Sequence, residues 1–410
     1  MTARTALGAS SGVAEDAPVV VAARRTWIGT AGYGHRARTE VDLAAAVLRA
    51  VTDDTRAAGV EGAVADVVLG CCTGPGGNVA RVAALAAGLG VRVPGLTVDR
   101  QCASGLAAVL LAAQQVRAGD ARLVLAGGTE SASTAPARTF RGAPAGYARA
   151  AFTPVPWADP QMGAAADALA RRRTVTRERQ DAYAVRSHAR ALAAHAAGRF
   201  DAEVVGVGAP QAGPSRVPTA GRGRLDRDER ARRLDGSRLA RLPAAFTPDG
   251  TVTAGTSSPV SDGAAAVAVV PEAVRRVLGV PGLRLVASAT VGCDPAEPGW
   301  GPVPATRAAL DRAGWSVDDL AAVEMVEAFA AQVLAVTDAL GLDPLGGDER
   351  VCADGGALAL GHPWGASGAV SVVRLFSRLV RAGAPAGTRG LATAAVGGGL
   401  GVAALVEVVR

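Results

Sequence analysis

The chain has 410 residues, of which 49% are hydrophobic and only 3% aromatic, and its formal net charge is +6. This length allows two or three domains with a large core, and a core of Ala, Val and Leu fits packed helices and parallel strands better than a β-sandwich. All 43 basic residues are arginine, but they are scattered without interleaved aromatics or a DNA-binding motif, so we do not expect nucleic-acid binding.

The cysteine pattern and the N-terminus bear on the compartment. Five cysteines without C-x-x-C spacing predict neither a disulfide framework nor a zinc site, and we expect no metal. Residues 1–17 contain no apolar segment and are expected to form a disordered tail rather than a secretory signal. The odd number of cysteines fits a reducing cytoplasm, which is the compartment we expect. No run approaches the ~18 apolar residues of a membrane helix, so we expect no membrane contact.

Apolar periodicity in the first third of the chain predicts alternating strands and helices. In chain order these are a strand at 18–23, a helix at 41–51, strands at 64–69 and 96–98 flanking a helix at 81–89, a helix at 106–116, and a strand at 123–126. This alternation predicts parallel βαβ units.

The middle of the chain has a different character. Five prolines between 133 and 162 exclude long regular elements there. Two arginine-rich helices follow, at 163–173 and 177–197, and the second carries His188 and His195 on a face expected to be solvated. The segment 206–224 is predicted to be a surface loop, and 264–270 a strand. We interpret 134–245 as an inserted cap or loop region.

A candidate nucleophile lies at a strand-to-helix junction. The segment 101–105, Gln-Cys-Ala-Ser-Gly, places Cys102 near the start of the helix at 106–116, where the helix dipole favours a thiolate. A second glycine-framed segment, 361–368, supplies His362. One cysteine and one histidine on two such junctions suggest covalent acyl transfer.

A weak internal repeat links the two junctions. Segments 103–119 and 366–383 are alike, and each precedes an apolar segment that ends in glycines, at 123–128 and 391–399. Chance among Ala, Gly and Val is one explanation, but the shared order of features favours duplication. Two similar halves would bring both turns to the strand ends where ligands bind, so Cys102 and His362 could meet across a pseudo-twofold axis.

These motifs resemble those of the thiolases, CoA-dependent acyltransferases that make or cleave 3-ketoacyl-CoA, from about Val19 to Arg410. The matching segments are 25–29, 99–106, 126–131, 162–163, 180–181, 187–188, 250–255, 327–330, 355–368 and 397–399. The resemblance implies a five-layered αβαβα fold of two duplicated βαβαβαββ halves plus an inserted loop domain, and a homodimer or homotetramer. We place the halves at 18–133 with 246–272, and at 273–410, and the CoA-binding loop region at 134–245.

The resemblance also implies roles for single residues. Cys102 would take the acyl group from a thioester, and His362 would activate it. Backbone N–H groups around Gly398 and Gly399 would bind an oxyanion. Glu327 belongs to a matched motif and would either position His362 or serve the structure alone.

The resemblance also implies which residues would contact CoA. Arg232 stands where thiolases place an arginine on the CoA nucleotide, and Ser258 matches a serine that contacts the pantetheine arm. The acyl thioester, on CoA or on a carrier protein, would be the substrate, and no bound cofactor is implied.

Two departures from the thiolase pattern affect the chemistry. Val326 replaces the asparagine that completes an oxyanion hole, and Ala395 replaces the second cysteine, which acts as the base. Both losses should slow Claisen condensation. Cys293 or Cys352 could substitute for the base, although both also fit the role of small buried core residues.

Three functions remain open. The first is an acyltransferase of specialised biosynthesis whose acceptor needs no cysteine base: an amine, an alcohol, an activated aromatic carbon or a decarboxylating malonyl thioester. The second is an ordinary acetyl-CoA C-acyltransferase. The third is a non-catalytic thioester-binding or scaffolding subunit, although the presence of Cys102 and His362 weighs against it.

Overall fold

The computed structural model describes residues 14–60, 62–147, 149–208 and 225–410. The strands are β1 Pro18–Thr26, β2 Gly29–Thr30, β3 Asp66–Gly70, β4 Leu96–Val98, β5 Val124–Ser131, β6 Arg138–Thr139, β7 Gly146–Tyr147, β8 Val204–Val205, β9 Ser261–Pro271, β10 Gly282–Gly292, β11 Leu320–Met325, β12 Arg389–Val396 and β13 Leu400–Val409. The helices are α1 Glu40–Ala57, α2 Val79–Ala86, α3 Ser104–Arg117, α4 Met162–Arg172, α5 Arg177–Ala196, α6 Gly236–Leu239, α7 Glu272–Leu278, α8 Pro302–Ala313, α9 Ala330–Leu340, α10 Ala357–Leu360 and α11 Trp364–Leu375, which continues as a π-helix over Phe376–Arg381.

The predicted elements of the first third are confirmed, with longer bounds for α1 and β5. Helix α1 is stabilised at its start by Thr39, whose hydroxyl accepts from the Asp42 N–H while the Asp42 carboxylate accepts from the Thr39 N–H. Most of the predicted loop 206–224 lies outside the described residues, as do residues 1–13.

The sheet order shows the predicted duplication. In the described chain the strands run β11-β12-β13-β10-β1-β9-β5-β3-β4, with β2 on β9 and β8 on β1. Reading outward from the β1–β10 contact, each half has two antiparallel pairs followed by a parallel one: β1-β9-β5-β3 on one side and β10-β13-β12-β11 on the other. The sheet is therefore mixed, and the expectation of parallel units holds only for its outer strands.

The layers follow from the two-residue period of the central strands. Alternate residues of β9 and β13 face an inner core that contains α3 and α11, while the residues between them face outer helices, α1 and α2 on one side and α8 and α9 on the other. Five layers result. The central layer is formed by α3 and α11, the two halves of the sheet lie on either side of it, and the outer helices cover the two halves. The first turns of the two central helices consequently lie in the middle of the molecule.

Residues 14–17 differ from the predicted disordered tail. The carbonyls of Glu15 and Ala17 accept hydrogen bonds from Ala273 and Glu272 at the start of α7. These contacts bind the segment to the start of α7, directly after β9. Among the described helices, none is both long and apolar enough to cross a membrane.

Candidate functional site

The turn that carries Cys102 is a tight elbow between β4 and α3. Gln101 has a left-handed φ of 46°, a strained conformation for a residue with a side chain. The Asp99 carboxylate accepts from the Gln101 N–H at 2.8 Å, and the Ser104 hydroxyl accepts from the Arg100 N–H and donates to the Gln101 carbonyl, both at 2.7 Å. These bonds hold Cys102 at the head of α3.

Burial decides the protonation of Cys102. It raises the pKa of the Cys102 thiol to about 12, and the nearby charges of Glu130 and Asp99 add to the rise, although a backbone hydrogen bond acts against it. Desolvation of the anion therefore acts against the thiolate that the helix start was predicted to favour, and the thiol form is the one expected at neutral pH. The sulfur needs a base that removes its proton when it attacks.

His362 has the protonation state of such a base. Burial lowers the pKa of the imidazole to about 4, so it is neutral at pH 7. Its Nδ1 lies 2.6 Å from the Ser367 hydroxyl, whose own proton goes to the Pro363 carbonyl at 2.9 Å. Nδ1 therefore carries the hydrogen, and Nε2, which has no hydrogen-bond partner among the described residues, keeps a lone pair.

The two junctions meet at the crossing of α3 and α11. A Cβ atom on Gly105 would lie 2.8 Å from the Gly365 carbonyl and 2.9 Å from the Ala369 nitrogen. A Cβ atom on Gly368 would lie 2.7 Å from the Leu106 backbone nitrogen. Glycine is required because the helix backbones touch, and this contact brings the turn before α3 next to the turn before α11.

The turn between β12 and β13 holds the predicted oxyanion donors. Gly398 and Gly399 have φ of 83° and 80°, a pair of left-handed residues that favours glycine. The Gly399 carbonyl accepts from the Cys293 N–H at 2.7 Å, and the Phe152 ring covers Gly397. Ala395, half-buried near the end of β12, brings no ionisable group to this turn.

Val326 is buried behind the imidazole segment. It lines a cavity of about 20 Å³ together with Gly361, Ser367, Ser371 and Arg374. The Arg374 Nε atom is buried and has no hydrogen-bond partner in the part of the chain that the structure describes. The cavity has room for about one water molecule, so it is not a substrate pocket.

Among the described residues, the hydrogen-bond partners of Glu327 do not include His362. Its buried carboxylate accepts from the Tyr183 hydroxyl and the Ser187 hydroxyl, each at 2.7 Å, and from the Leu358 N–H at 3.2 Å. Burial raises the pKa of this carboxyl group. Glu327 therefore fixes the segment that leads to His362, which supports the structural alternative over direct contact with the imidazole.

The two predicted CoA contacts lie on neighbouring segments. Arg232 is exposed, and its N–H lies 3.3 Å from His188 Nδ1. Ser258 is half-buried, and its N–H donates to the Ala328 carbonyl at 3.0 Å. Arg230 connects the segments through a bond to the Ala254 carbonyl at 3.1 Å.

Three further residues with predicted roles are His188, Cys352 and Cys293. His188 is buried, so the expected solvated face is wrong for it, and burial lowers its pKa to about 3. Cys352 is fully buried in the outer core, its thiol 3.5 Å from the Met325 carbonyl, so it fits the structural alternative. Cys293 is half-buried beside the glycine turn, and burial raises its pKa to about 11.

The sequence reasoning did not assign three residues that shape the site: Asp99, Ser367 and Glu130. Ser367 follows His362 by five residues within the same helix start, and this spacing was a usable signal. Asp99 and Glu130 lay in matched motifs, but nothing in the sequence shows what they touch. Within the described ranges, no group of three His, Cys, Asp or Glu side chains could hold a metal ion.

Comparison with known proteins covers nearly the whole chain. The pattern of the thiolase N-terminal domain matches residues 18–273, and that of the thiolase C-terminal domain matches 281–408. An acetyl-CoA acetyltransferase of Pseudomonas aeruginosa is 43% identical over 401 residues, which cover 94% of this chain and 98% of the relative. A probable acetyl-CoA acetyltransferase of Escherichia coli is 41% identical over 406 residues, covering 95% and 98%.

A solved structure is similar along the same length. The crystal structure of the Bacillus anthracis acetyl-CoA acetyltransferase superimposes with a TM-score of 0.85 at 36% identity, covering 96% of this chain and 99% of the other. The similar structure and the similar sequences therefore carry the same kind of name, acetyl-CoA acetyltransferase.

Proposed function

Because the chain belongs to the thiolase family, we propose that it works as an acetyl-CoA C-acyltransferase that uses Cys102 as nucleophile and His362 as base. The acyltransferase class and the CoA thioester substrate follow from the family. The assignment of single residues rests on the geometry of the two turns. A non-catalytic subunit is not proposed, since relatives along the whole length are named as acetyltransferases.

The observation that carries this proposal is the tautomer of His362. With Nδ1–H bound to Ser367, the Nε2 lone pair accepts the thiol proton of Cys102 as the sulfur attacks the thioester carbonyl. The carbon–sulfur bond to CoA breaks, and the imidazolium returns the proton to the departing CoA sulfur. The products are acyl-Cys102 and free CoA, and the base is neutral again.

The second step distinguishes two acceptors. In the ordinary reaction, a second acetyl-CoA gives an α-proton to a base and its carbon attacks acyl-Cys102. The bond between the acyl carbon and the Cys102 sulfur breaks, the thiolate takes up a proton, and acetoacetyl-CoA and the free enzyme are formed. The names of the relatives favour this reaction. The second candidate is transfer to an acceptor that needs no cysteine base, as an amine, alcohol, activated carbon or decarboxylating malonyl thioester. Ala395 and Val326 favour it.

One experiment separates these functions. The protein is incubated with acetyl-CoA, and with acetoacetyl-CoA plus CoA, while intact mass reports acylation of Cys102 and chromatography reports the thioesters. Condensation and thiolysis at several turnovers per second support the ordinary reaction, and acyl-Cys102 that turns over only with another acceptor supports the second candidate. If no thioester, on CoA or carrier protein, adds mass that Cys102→Ala abolishes, both are rejected.

We also infer a homodimer or homotetramer in the cytoplasm. Within the described chain β4 is a sheet edge, and Leu96 on it lies 44% exposed near the exposed Val82, Leu85 and Val91. An apolar patch beside an open strand edge favours a second copy of the chain. The five free cysteines fit a reducing compartment. Light scattering after gel filtration tests the oligomer, and a monomer at micromolar concentration contradicts it.

A further inference from the structure

Glu130, near the end of β5, has a carboxylate that joins three segments of the chain. The residue is 1% exposed. Its Oε1 accepts from the Thr73 N–H at 2.9 Å and from the Thr73 hydroxyl at 2.5 Å. Its Oε2 accepts from the Cys72 N–H at 3.1 Å and from the Gly365 N–H at 2.9 Å. The Cys71 thiol donates to Oε1 at 3.9 Å, and all five donors lie on segments far from β5 in sequence.

Each of these segments borders one half of the candidate site. The Cys72 thiol lies 3.3 Å from the Gln101 carbonyl and 3.5 Å from the Ser104 hydroxyl, so residues 72–73 underlie the elbow of Cys102. Gly365 is the second residue of α11, where backbone N–H groups lack partners within the helix. The carboxylate satisfies one of them, three residues after His362.

The backbone segments around this carboxylate are in close contact at two glycines. A Cβ atom on Gly365 would lie 2.5 Å from the Thr129 carbonyl and 2.9 Å from the Gly70 carbonyl, and one on Gly128 would lie 1.9 Å from the Gly365 carbonyl. The ends of β3 and β5 and the start of α11 are therefore in direct contact. A loss of the carboxylate bonds cannot be compensated by closer packing at this point.

We propose that Glu130 is a positioning residue that holds the Cys102 turn and the His362 turn in the relative geometry that proton transfer between them requires. Glu130 touches neither reacting side chain and acts through residues 72–73 and 365. The inference rests on the proposed function in one respect, namely that Cys102 and His362 act together.

The charge of Glu130 supplies a readout that a purely structural residue lacks. The ionisable groups that act on the Cys102 thiol are Asp99 on its own turn, Glu130 on β5 and Cys72 after β3. The negative charges of Glu130 and Asp99 both raise the pKa of the Cys102 thiol, after burial. Removal of the Glu130 charge should move the alkylation of Cys102 by iodoacetamide to lower pH.

The test compares Glu130→Gln with Glu272→Gln, a matched change of a buried carboxylate in α7. Glu130→Gln should slow single-turnover acylation of Cys102 about 10- to 100-fold, because small misplacements of reacting groups have effects of this size. The same variant should be alkylated faster at a given pH. Glu272→Gln should change neither rate. Opposite changes in the two rates support the proposal. Unchanged rates in a folded Glu130→Gln protein overturn it.

A second variant keeps the charge and covers the case in which Glu130→Gln does not fold. Thr73→Val removes the 2.5 Å hydroxyl bond, and Thr73→Ser restores it. We expect slower acylation in Thr73→Val, recovery in Thr73→Ser and no shift of the alkylation profile in either. Wild-type acylation in folded Thr73→Val contradicts the proposal. Alkylation needs no thioester, so it reports the effect of the Glu130 charge on Cys102 separately from acyl transfer.

Discussion

The Nδ1 atom of His362 lies 2.6 Å from the hydroxyl oxygen of Ser367, and this contact defines the state of the candidate base. Ser367 can accept from Nδ1 because its own proton is donated to Pro363. The imidazole is thereby held in the tautomer whose Nε2 lone pair is available. Ser367 lies in the first turn of α11 and His362 two residues before this helix, so the helix start holds both the base and its orienting group.

Ser367→Ala should slow acylation of Cys102 about tenfold or more. The change leaves a buried N–H without an acceptor, at a cost of about 1–3 kcal/mol, so the imidazole no longer keeps its orientation. Rapid-quench measurement of acyl-Cys102 checks this. Ser371→Ala is the control, because its hydroxyl only reaches the Ser367 carbonyl at 3.4 Å. Equal rates in the two variants would contradict the role of Ser367.

The rate of Cys102 acylation should fall on the acidic side near pH 4 rather than near pH 6.5. Burial lowers the pKa of His362 to about 4, so Nε2 stays free down to that pH and is blocked below it. Since burial also raises the pKa of Cys102 to about 12, the rate should be flat from about pH 5 to pH 9. A single-turnover pH profile measures both, and a limb near pH 6.5 counts against a buried neutral imidazole.

The same pKa shift has a consequence for stability that serves as a control. The folded-state pKa of His362 lies below that of the unfolded chain, so its contribution to stability is full above about pH 6.5 and is lost as pH falls toward 4. Circular dichroism at each pH must therefore show that the protein is still folded before a fall in rate is assigned to the base.

Ala395→Cys should raise the rate of acetoacetyl-CoA formation by about 10²–10⁴-fold if the missing base limits condensation. Ala395 is half-buried on β12, whereas its neighbour Ala394 is fully buried on the other face of the strand. Ala394→Cys is thus the matched control and should give no gain. If wild-type protein condenses as fast as Ala395→Cys, another group supplies the base.

Glu327→Gln should lower the free energy of unfolding by about 1–3 kcal/mol, since an amide cannot accept all three of the bonds from Tyr183, Ser187 and Leu358. Urea unfolding measures the change. Glu349→Gln alters an ion pair with Arg190 in which the carboxylate is 77% exposed, and it should have little effect. Equal urea midpoints for the two variants would show that the hydrogen bonds of Glu327 contribute little to the free energy of unfolding.

The order of the helices and strands was predictable from the sequence because apolar periodicity is a local property. The strand at 96–98 and the elbow at Cys102 lie where the pattern placed them. The repeat of turn, helix and glycine-ended strand predicted the duplicated halves that the sheet order shows. Motif spacing was enough to identify the family, since each motif is a short continuous segment.

The chemical state of the site was decided by tertiary structure. The pKa values of Cys102 and His362 depend on burial, and the dipole at the start of a helix predicted the opposite sign for the cysteine. Glu130 and Gly365 are 235 residues apart, and no local pattern shows that the Gly365 N–H donates to the Glu130 carboxylate. The sequence by itself determined the elements and the candidate reacting groups, because these depend on neighbours along the chain. Only the packed molecule determined their protons, partners and relative positions, because these depend on groups that folding brings together.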